Sequence, residues 1–236
     1  MPYTVTQQNI LSVEADAAVI SVENPVVIAD GTVNETIARA GGEELLLKIR
    51  KKKRFLPVGF SFAAEPCGLP FRHILVTAAP RWWSGEANEL VVLRRCYSSL
   101  YSLAEELGCR SVATAFLSTD YFGFPKTEAV AVALSEASHA AVDTVFVAES
   151  EELAALCTKP YRKPEIVSYV GYYRDHAVFL LDNGQYAKID MRREMRDVSI
   201  RPFIEACYFE GRTAPQTPLP EQEKERLHRI YEETEF

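Results

Sequence analysis

No stretch of this 236-residue chain holds about 18 successive apolar residues, so no segment is built to cross a bilayer as a helix. The opening, Met1-Pro2-Tyr3-Thr4, lacks the basic-then-apolar layout of a secretory signal, and the two absences together give the expectation of a cytoplasmic protein without a membrane partner. Cysteine is sparse: five residues, odd in number, scattered, and never spaced as C-x-x-C. That excludes a disulfide framework and a zinc-ribbon site and points to free thiols in a reducing compartment. Only four histidines are present, none within helix-face reach of another, so no metal and no cofactor are expected. Positive charge is in deficit, with 26 Lys and Arg against 33 Asp and Glu and a net charge of −7. Nucleic acid is therefore disfavoured as a partner, because affinity for a phosphate backbone rests on clustered basic residues. A small anion remains compatible, since backbone N–H groups hold phosphate without net positive charge. The signatures G-x-G-x-x-G, G-x-x-x-x-G-K-[ST], H-E-x-x-H and G-x-S-x-G are all missing.

What is there is the pattern of a globular protein. With 47% hydrophobic and 25% charged residues, the chain is outside the disordered, collagen-like and coiled-coil ranges. Short β-branched runs predict strands over 16–22, 72–77, 111–117 and 143–149. Apolar spacing near 3.6 predicts helices over 33–52, 88–107 and 126–139, with Gly108 as a C-cap and Pro125 as a first helical residue. Alternation of this kind predicts an α/β layered fold, whose ligands collect beyond the carboxyl ends of the strands. The loops at 23–33, 78–86 and 118–125 are thus the informative ones. Near residue 158 the pattern changes: two prolines among basic residues over 158–164 suggest a linker. Beyond it, strands over 166–173 and 177–181, a hairpin turn at Asp182-Asn183-Gly184, a strand over 185–191, an apolar segment over 200–209, a Pro-rich stretch over 213–220 and a charged helix over 221–235 form a small α+β extension.

Four segments in order carry a resemblance. They are Gln8-Asn9-Ile10 with Asp16-Ala17-Ala18-Val19; Asp30-Gly31-Thr32-Val33 with Ile37-Ala38-Arg39-Ala40-Gly41-Gly42; Ile74 through Ala79-Pro80-Arg81-Trp82 with Gly85, Glu89 and Leu93; and Ser111-Val112-Ala113 through Leu117-Ser118-Thr119-Asp120-Tyr121-Phe122-Gly123-Phe124-Pro125. Residues 1 to about 150 thereby resemble the macro domain, an ADP-ribose-binding module. The resemblance implies a three-layer α/β fold with a mixed central sheet flanked by helices over 1–157, followed by the linker at 158–164 and the extension at 165–236. It places Asn9 and Ile10 at the adenine, where an Asn carbonyl oxygen can accept from the adenine amino group. The diphosphate would lie between Asp30, Gly31, Thr32 and Val33 on one side and Ser118, Thr119, Asp120, Tyr121, Phe122, Gly123 and Phe124 on the other, with Phe122 against the distal ribose. Asn24 or Glu23 would hold a catalytic water. The implied ligand is ADP-ribose, a related nucleotide or an ADP-ribosylated protein, with hydrolysis of an ADP-ribosyl or O-acetyl-ADP-ribose linkage as the associated activity.

The departures from the family pattern are carboxylates. Asp30-Gly31-Thr32 replaces G-G-G and Ser118-Thr119-Asp120 replaces S-T-G, so two acidic residues enter loops that face a diphosphate. Like charges a few Å apart in a partly shielded site cost ~1–4 kcal/mol each. The alternative function is accordingly a degenerate macro domain that has lost diphosphate binding and serves as a protein-interaction or scaffold module. Plainer readings stand beside the sharper ones. The 118–125 segment also reads as a tight strand-to-helix turn, Asn24 before Pro25 as a turn-initiating residue, and Asn9 as an ordinary loop residue. Asn34-Glu35-Thr36 matches a glycosylation sequon but fits a helix start, and Lys51-Lys52-Lys53-Arg54 fits a solvated last helical turn. Tyr169, Tyr172, Tyr173 and Tyr186 read as cross-strand packing in the extension.

Overall fold

The structure is a computed structural model that describes residues 3–83, 88–120, 122–158, 163–173, 175–182, 184–192, 198–201 and 218–234. It divides into two compact units, residues 1–82 with 89–160, and residues 83–88 with 161–236. Tyr121, residues 159–162 of the expected linker, Asn183 of the expected hairpin turn, residues 202–209 and the Pro-rich 213–217 lie outside the described residues.

The larger unit is built on a seven-stranded mixed sheet. Its strands are β1 (Tyr3–Thr6), β2 (Ala17–Glu23), β3 (Val27–Ile28), β4 (Ser61–Ala64), β5 (His73–Ala78), β6 (Ser111–Ala115) and β7 (Asp143–Val147), in the order β1-β7-β6-β2-β5-β4, with β3 pairing β2. The pairs β1–β7, β7–β6, β6–β2 and β2–β5 are parallel, whereas β4 and β3 run antiparallel to β5 and β2. The central strands are continuous apolar runs because both faces are covered. Successive residues of β2 point to opposite faces. Ala17 and Val19 join a core with α2 (Glu89–Glu106), α3 (Lys126–His139) and α4 (Glu151–Thr158); Ala18, Ile20 and Val22 join another with α1 (Thr32–Lys52). Three layers result.

Helix α1 is not the single helix that the periodicity suggests. Gly42 takes φ +61° and ψ −164°, which breaks it into two pieces at a position that only glycine occupies without strain. The cations Arg50, Lys51 and Lys52 fall in its last turn, where they complement the helix dipole. Strands β1, β3 and β4 and helix α4 were not expected from the sequence, and β6 and β7 each stop two residues before the expected end.

Asp16 ties together the chain entering the strands. Its carboxylate accepts the Arg110 N–H at 2.7 Å and pairs with Arg72 at 3.4 Å, while its carbonyl accepts the Arg72 N–H at 2.8 Å. The Arg110 N–H, followed by Arg72, holds the Asp16 carboxyl below its ordinary range.

The smaller unit is an antiparallel sheet of β8 (Ile166–Tyr173), β9 (His176–Leu181), β10 (Tyr186–Asp190) and β11 (Val198–Arg201), in the order β11-β10-β9-β8, with α5 (Glu221–Glu233) packed through Leu227 and Tyr231 onto Ala177, Phe179, Ala187 and Ile189. Lys163 donates to the carbonyls of Tyr231, Glu232 at 3.1 Å and Thr234 at 2.7 Å, closing the C-terminal end of α5. Tyr169 packs edge-on against Phe179 at 5.5 Å, with the Lys224 ammonium 5.6 Å from its ring. Among the described residues, no helix is long and apolar enough to cross a membrane.

Tyr97 of α2 is fully buried, and its hydroxyl accepts the Leu117 N–H at 2.9 Å just beyond β6. Replacing Tyr97 with Phe leaves that N–H without an acceptor, and we expect a loss of about 1–3 kcal/mol in urea unfolding.

Candidate functional site

Strands β2 and β6 run parallel but share only two rungs, Ala17 opposite Val112 and Ala18 opposite Ala113. On its other side β2 stays paired with β5 as far as Val22. Past Ala18 the two strands part, and the backbone groups released there need other partners. Ser21 N–H is taken by the Asn34 side-chain oxygen at 3.0 Å, and Ser21 C=O by the Ala29 N–H at 3.0 Å. Connections from β2 lead toward β5, whereas those from β6 lead toward β7, so the parting is the topological switch point at which α/β sheets bind ligands.

A recess of about 370 Å3, counting the open solvent at its mouth, lies at this point, lined by Val19, Ser21, Asp30, Gly31, Val33 and Asn34 from the β2 side, by residues 114–120 and Phe122 from the β6 side, and by Glu149 beyond β7. Gly31 precedes α1 at φ +137°, in the region that favours glycine, and a Cβ there would lie 3.1 Å from an Asp120 carboxylate oxygen. The facing loop is held from within. Ser118, at φ +68°, donates its hydroxyl to Pro80 C=O at 2.8 Å, and Thr119 donates its own to Phe116 C=O at 2.8 Å. Phe124 N–H returns to Ser118 C=O at 3.0 Å, and Gly123 N–H to Asp120 C=O at 2.9 Å. Both hydroxyls are thereby spent on fixing the loop. Among the described residues, no acceptor pairs with the backbone N–H of Gly31, Thr32, Ser118, Thr119 or Asp120. An unbonded run of such donors beside a helix start is a site for an anion.

One carboxyl group already occupies a donor of this kind. Glu149 Oε1 accepts the Val33 N–H of the first turn of α1 at 2.7 Å, across 116 residues of sequence. Burial first, then the Asp120 carboxylate and Glu35, push the Glu149 carboxyl up to about 7, and the Val33 N–H only partly offsets them.

Of the residues expected at the site, Asp30, Gly31, Val33, Ser118, Thr119, Asp120 and Phe122 line the recess. Thr32, Gly123 and Phe124 are in its loops without lining it; Phe124 is buried against Trp82, with ring centroids 4.8 Å apart. Tyr121 lies outside the described residues. Four of the expected residues, Asn24, Glu23, Asn9 and Ile10, are placed off the lining, which corrects the sequence reading. Asn24 does not face the recess: its amide donates to Leu56 C=O at 2.6 Å and accepts Leu56 N–H at 2.9 Å, which uses both ends of the side chain as a clamp between loops. Glu23 pairs with Arg81 at 3.5 Å and is also absent from the lining. Asn9 caps the single 3-10 turn Ile10–Ser12 through the Leu11 N–H at 2.9 Å, while Ile10 is buried in the core. Neither lines the recess. Sequence reasoning missed Asn34, hidden in a sequon-like triplet, and Glu149. The rule that singled out the loops after three strands applies equally to the end of β7 and would have found Glu149. Among the described residues, no group of His, Cys, Asp and Glu is arranged to hold a metal ion.

A family model described as Macro domain matches residues 22–133. O-acetyl-ADP-ribose deacetylase 1 of Pantoea vagans strain C9-1 is 32% identical over 139 residues, covering 58% of this chain and 81% of that protein. The chain belongs to the macro domain family. O-acetyl-ADP-ribose deacetylase of Escherichia coli K12 is 31% identical over 161 residues, covering 64% of this chain and 90% of that protein. A Trypanosoma brucei macrodomain solved in complex with ADP-ribose aligns with a TM-score of 0.57 at 26% identity, covering 66% of this chain and 67% of that one. The expected three-layer fold with a mixed central sheet is therefore the fold of this macro domain.

Two measurements test the placements. Replacing Asn24 with Ala removes both bonds to Leu56, and we expect a loss of about 1–3 kcal/mol in urea unfolding. For Glu149, the folded protein keeps a proton that the unfolded chain releases near the ordinary value of 4.5. Its contribution to stability is therefore greatest below pH 4.5, falls as pH rises toward 7, and is flat above. The melting temperature of Glu149→Gln relative to the parent protein is expected to rise over that window; a constant difference from pH 4.5 to 8 would contradict the assignment.

Proposed function

We propose that the recess binds ADP-ribose, free or attached to a protein, with the diphosphate between Gly31 to Val33 and the 118–122 loop. The observation that carries this reading is the set of backbone N–H groups without acceptors among the described residues, at Gly31, Ser118, Thr119 and Asp120 on the two sides of one recess and at Thr32 next to it. The bound ligand of the Trypanosoma brucei macrodomain supports it. Phe122, buried, lines the recess with the Arg81 guanidinium 5.8 Å from its ring centroid, and we place the distal ribose beside this pair. We place the protein in the cytoplasm, a reading supported by the unpaired Cys67, Cys96, Cys109 and Cys157.

We extend the reading to deacetylation of O-acetyl-ADP-ribose, supported by the names of relatives matched over 81% and 90% of their lengths. With Asn24 bonded to Leu56 and Glu23 paired with Arg81, the carboxyl groups on the lining are those of Asp30, Asp120 and Glu149, and we assign the orienting of a water to the exposed Asp120. Its role would be that of a general base for attack on the ester carbonyl, with the loop N–H groups fixing the substrate.

One observation favours the degenerate, non-binding alternative: Glu149 sits on a donor at the start of α1. Calorimetric titration with ADP-ribose, with adenosine and ADP as comparisons, separates the two. Micromolar binding of ADP-ribose, tighter than that of ADP, is expected. Asp120→Asn is expected to retain binding while deacetylation falls by about 10²-fold. Absence of heat from folded protein with millimolar ADP-ribose at pH 6 would sink the reading.

A further inference from the structure

The chain supplies a carboxyl group of its own to the site. Glu149 lies beyond β7, yet its side chain reaches α1 and holds the Val33 N–H at 2.7 Å inside the lined recess. A phosphate oxygen arriving between the two loops meets this carboxylate, with Asp120 beside it and Asp30 also on the lining. Among the described residues, the charges that act on Glu149 are of one sign. Asp120 faces it from the loop after β6 and Glu35 from α1, while Lys126 at the start of α3 is already paired with Glu152 of α4. Two ionised carboxylates and a diphosphate cannot share such a space without a large Coulomb cost, and a proton on Glu149 is the smallest change that removes part of it.

We infer that Glu149 is a specificity-determining residue that competes with the ligand for the start of α1, so that a diphosphate ligand enters only as Glu149 takes up a proton. The inference rests on the binding reading above and adds its selectivity: the recess weighs ligand charge, and an uncharged nucleoside escapes the competition. The proton enters from solvent and stays on the carboxyl; no covalent bond changes. The placement of the carboxyl near 7 agrees with this, because binding near neutral pH then falls in the range where protonation is accessible.

The test uses the full chain and ADP-ribose, whose two phosphates are both esterified and keep a constant charge between pH 6 and 8. Titrations at pH 6 and pH 8, each in two buffers of different ionisation heat, read the affinity and the protons taken up together. The expected result is an affinity about tenfold weaker at pH 8 than at pH 6, with close to one proton taken up at pH 8. Glu149→Gln keeps an oxygen for the Val33 N–H but carries no charge, and its affinity is expected to be independent of pH and at least as tight as the parent protein at pH 6. Adenosine affinity should respond to neither change. Equal ADP-ribose affinity at both pH values without proton uptake overturns the inference and leaves the binding reading standing. Absence of ADP-ribose binding to both proteins at pH 6 overturns the binding reading and this inference with it. The proton count on the parent protein decides the matter even if the variant does not fold.

Discussion

The separation of β2 from β6 after two rungs is the constraint from which the site follows. A parallel pair that stayed together to its ends would satisfy its own backbone and leave no room between the strands. Once the strands part, Ser21 must find a donor and an acceptor elsewhere, and the sequence provides Asn34 on α1 and Ala29 on the approach to it. The same bonds that repair β2 therefore fix where α1 begins and how the 29–33 loop faces the 118–124 loop. On the opposite side, Tyr97 and Pro80 play the matching part for the chain leaving β6. Both walls of the recess are thus backbone held in place by side-chain hydrogen bonds.

The acidic residues bear on what the site accepts. Gly31 passes so close to Asp120 that a Cβ on it would lie 3.1 Å from the carboxylate, and Glu149 is held by a helix-start N–H. The site combines donors suited to an anion with carboxylates that oppose one. This combination is a selective arrangement, since it grades ligands by how charge is distributed along them and not only by shape.

Much of the fold was legible in the sequence because the central strands are uninterrupted β-branched runs and the main helices keep a 3.6-residue apolar spacing, as in Val19-Ile20 and in Leu93, Tyr97, Leu100 and Ala104. The edges were not. Ser61-Phe62-Ala63-Ala64 has little β-branched character, and the break of α1 depends on a conformation of Gly42 that its neighbour Gly41 does not share. The site was legible at its glycine and hydroxyl loops, whose composition follows from the backbone approach that they permit. It was not legible where a side chain has two uses and a distant partner decides between them. Asn24 could orient a water or clamp a loop, and Leu56, 32 residues away, settles it. Glu149 looks like an ordinary residue at a strand end until Val33 is seen beside it.

The first strand has a consequence of another kind. Tyr3 to Thr6 pair with Thr144 to Val147 of β7, whose other side is taken by β6, so the chain's earliest described segment covers an edge laid down about 140 residues later. Without it, β7 would present a full row of unpaired backbone donors and acceptors, the template on which sheets add foreign strands. β1 becomes the edge in its place, and at four residues it is a short one, which offers a foreign strand little to pair with.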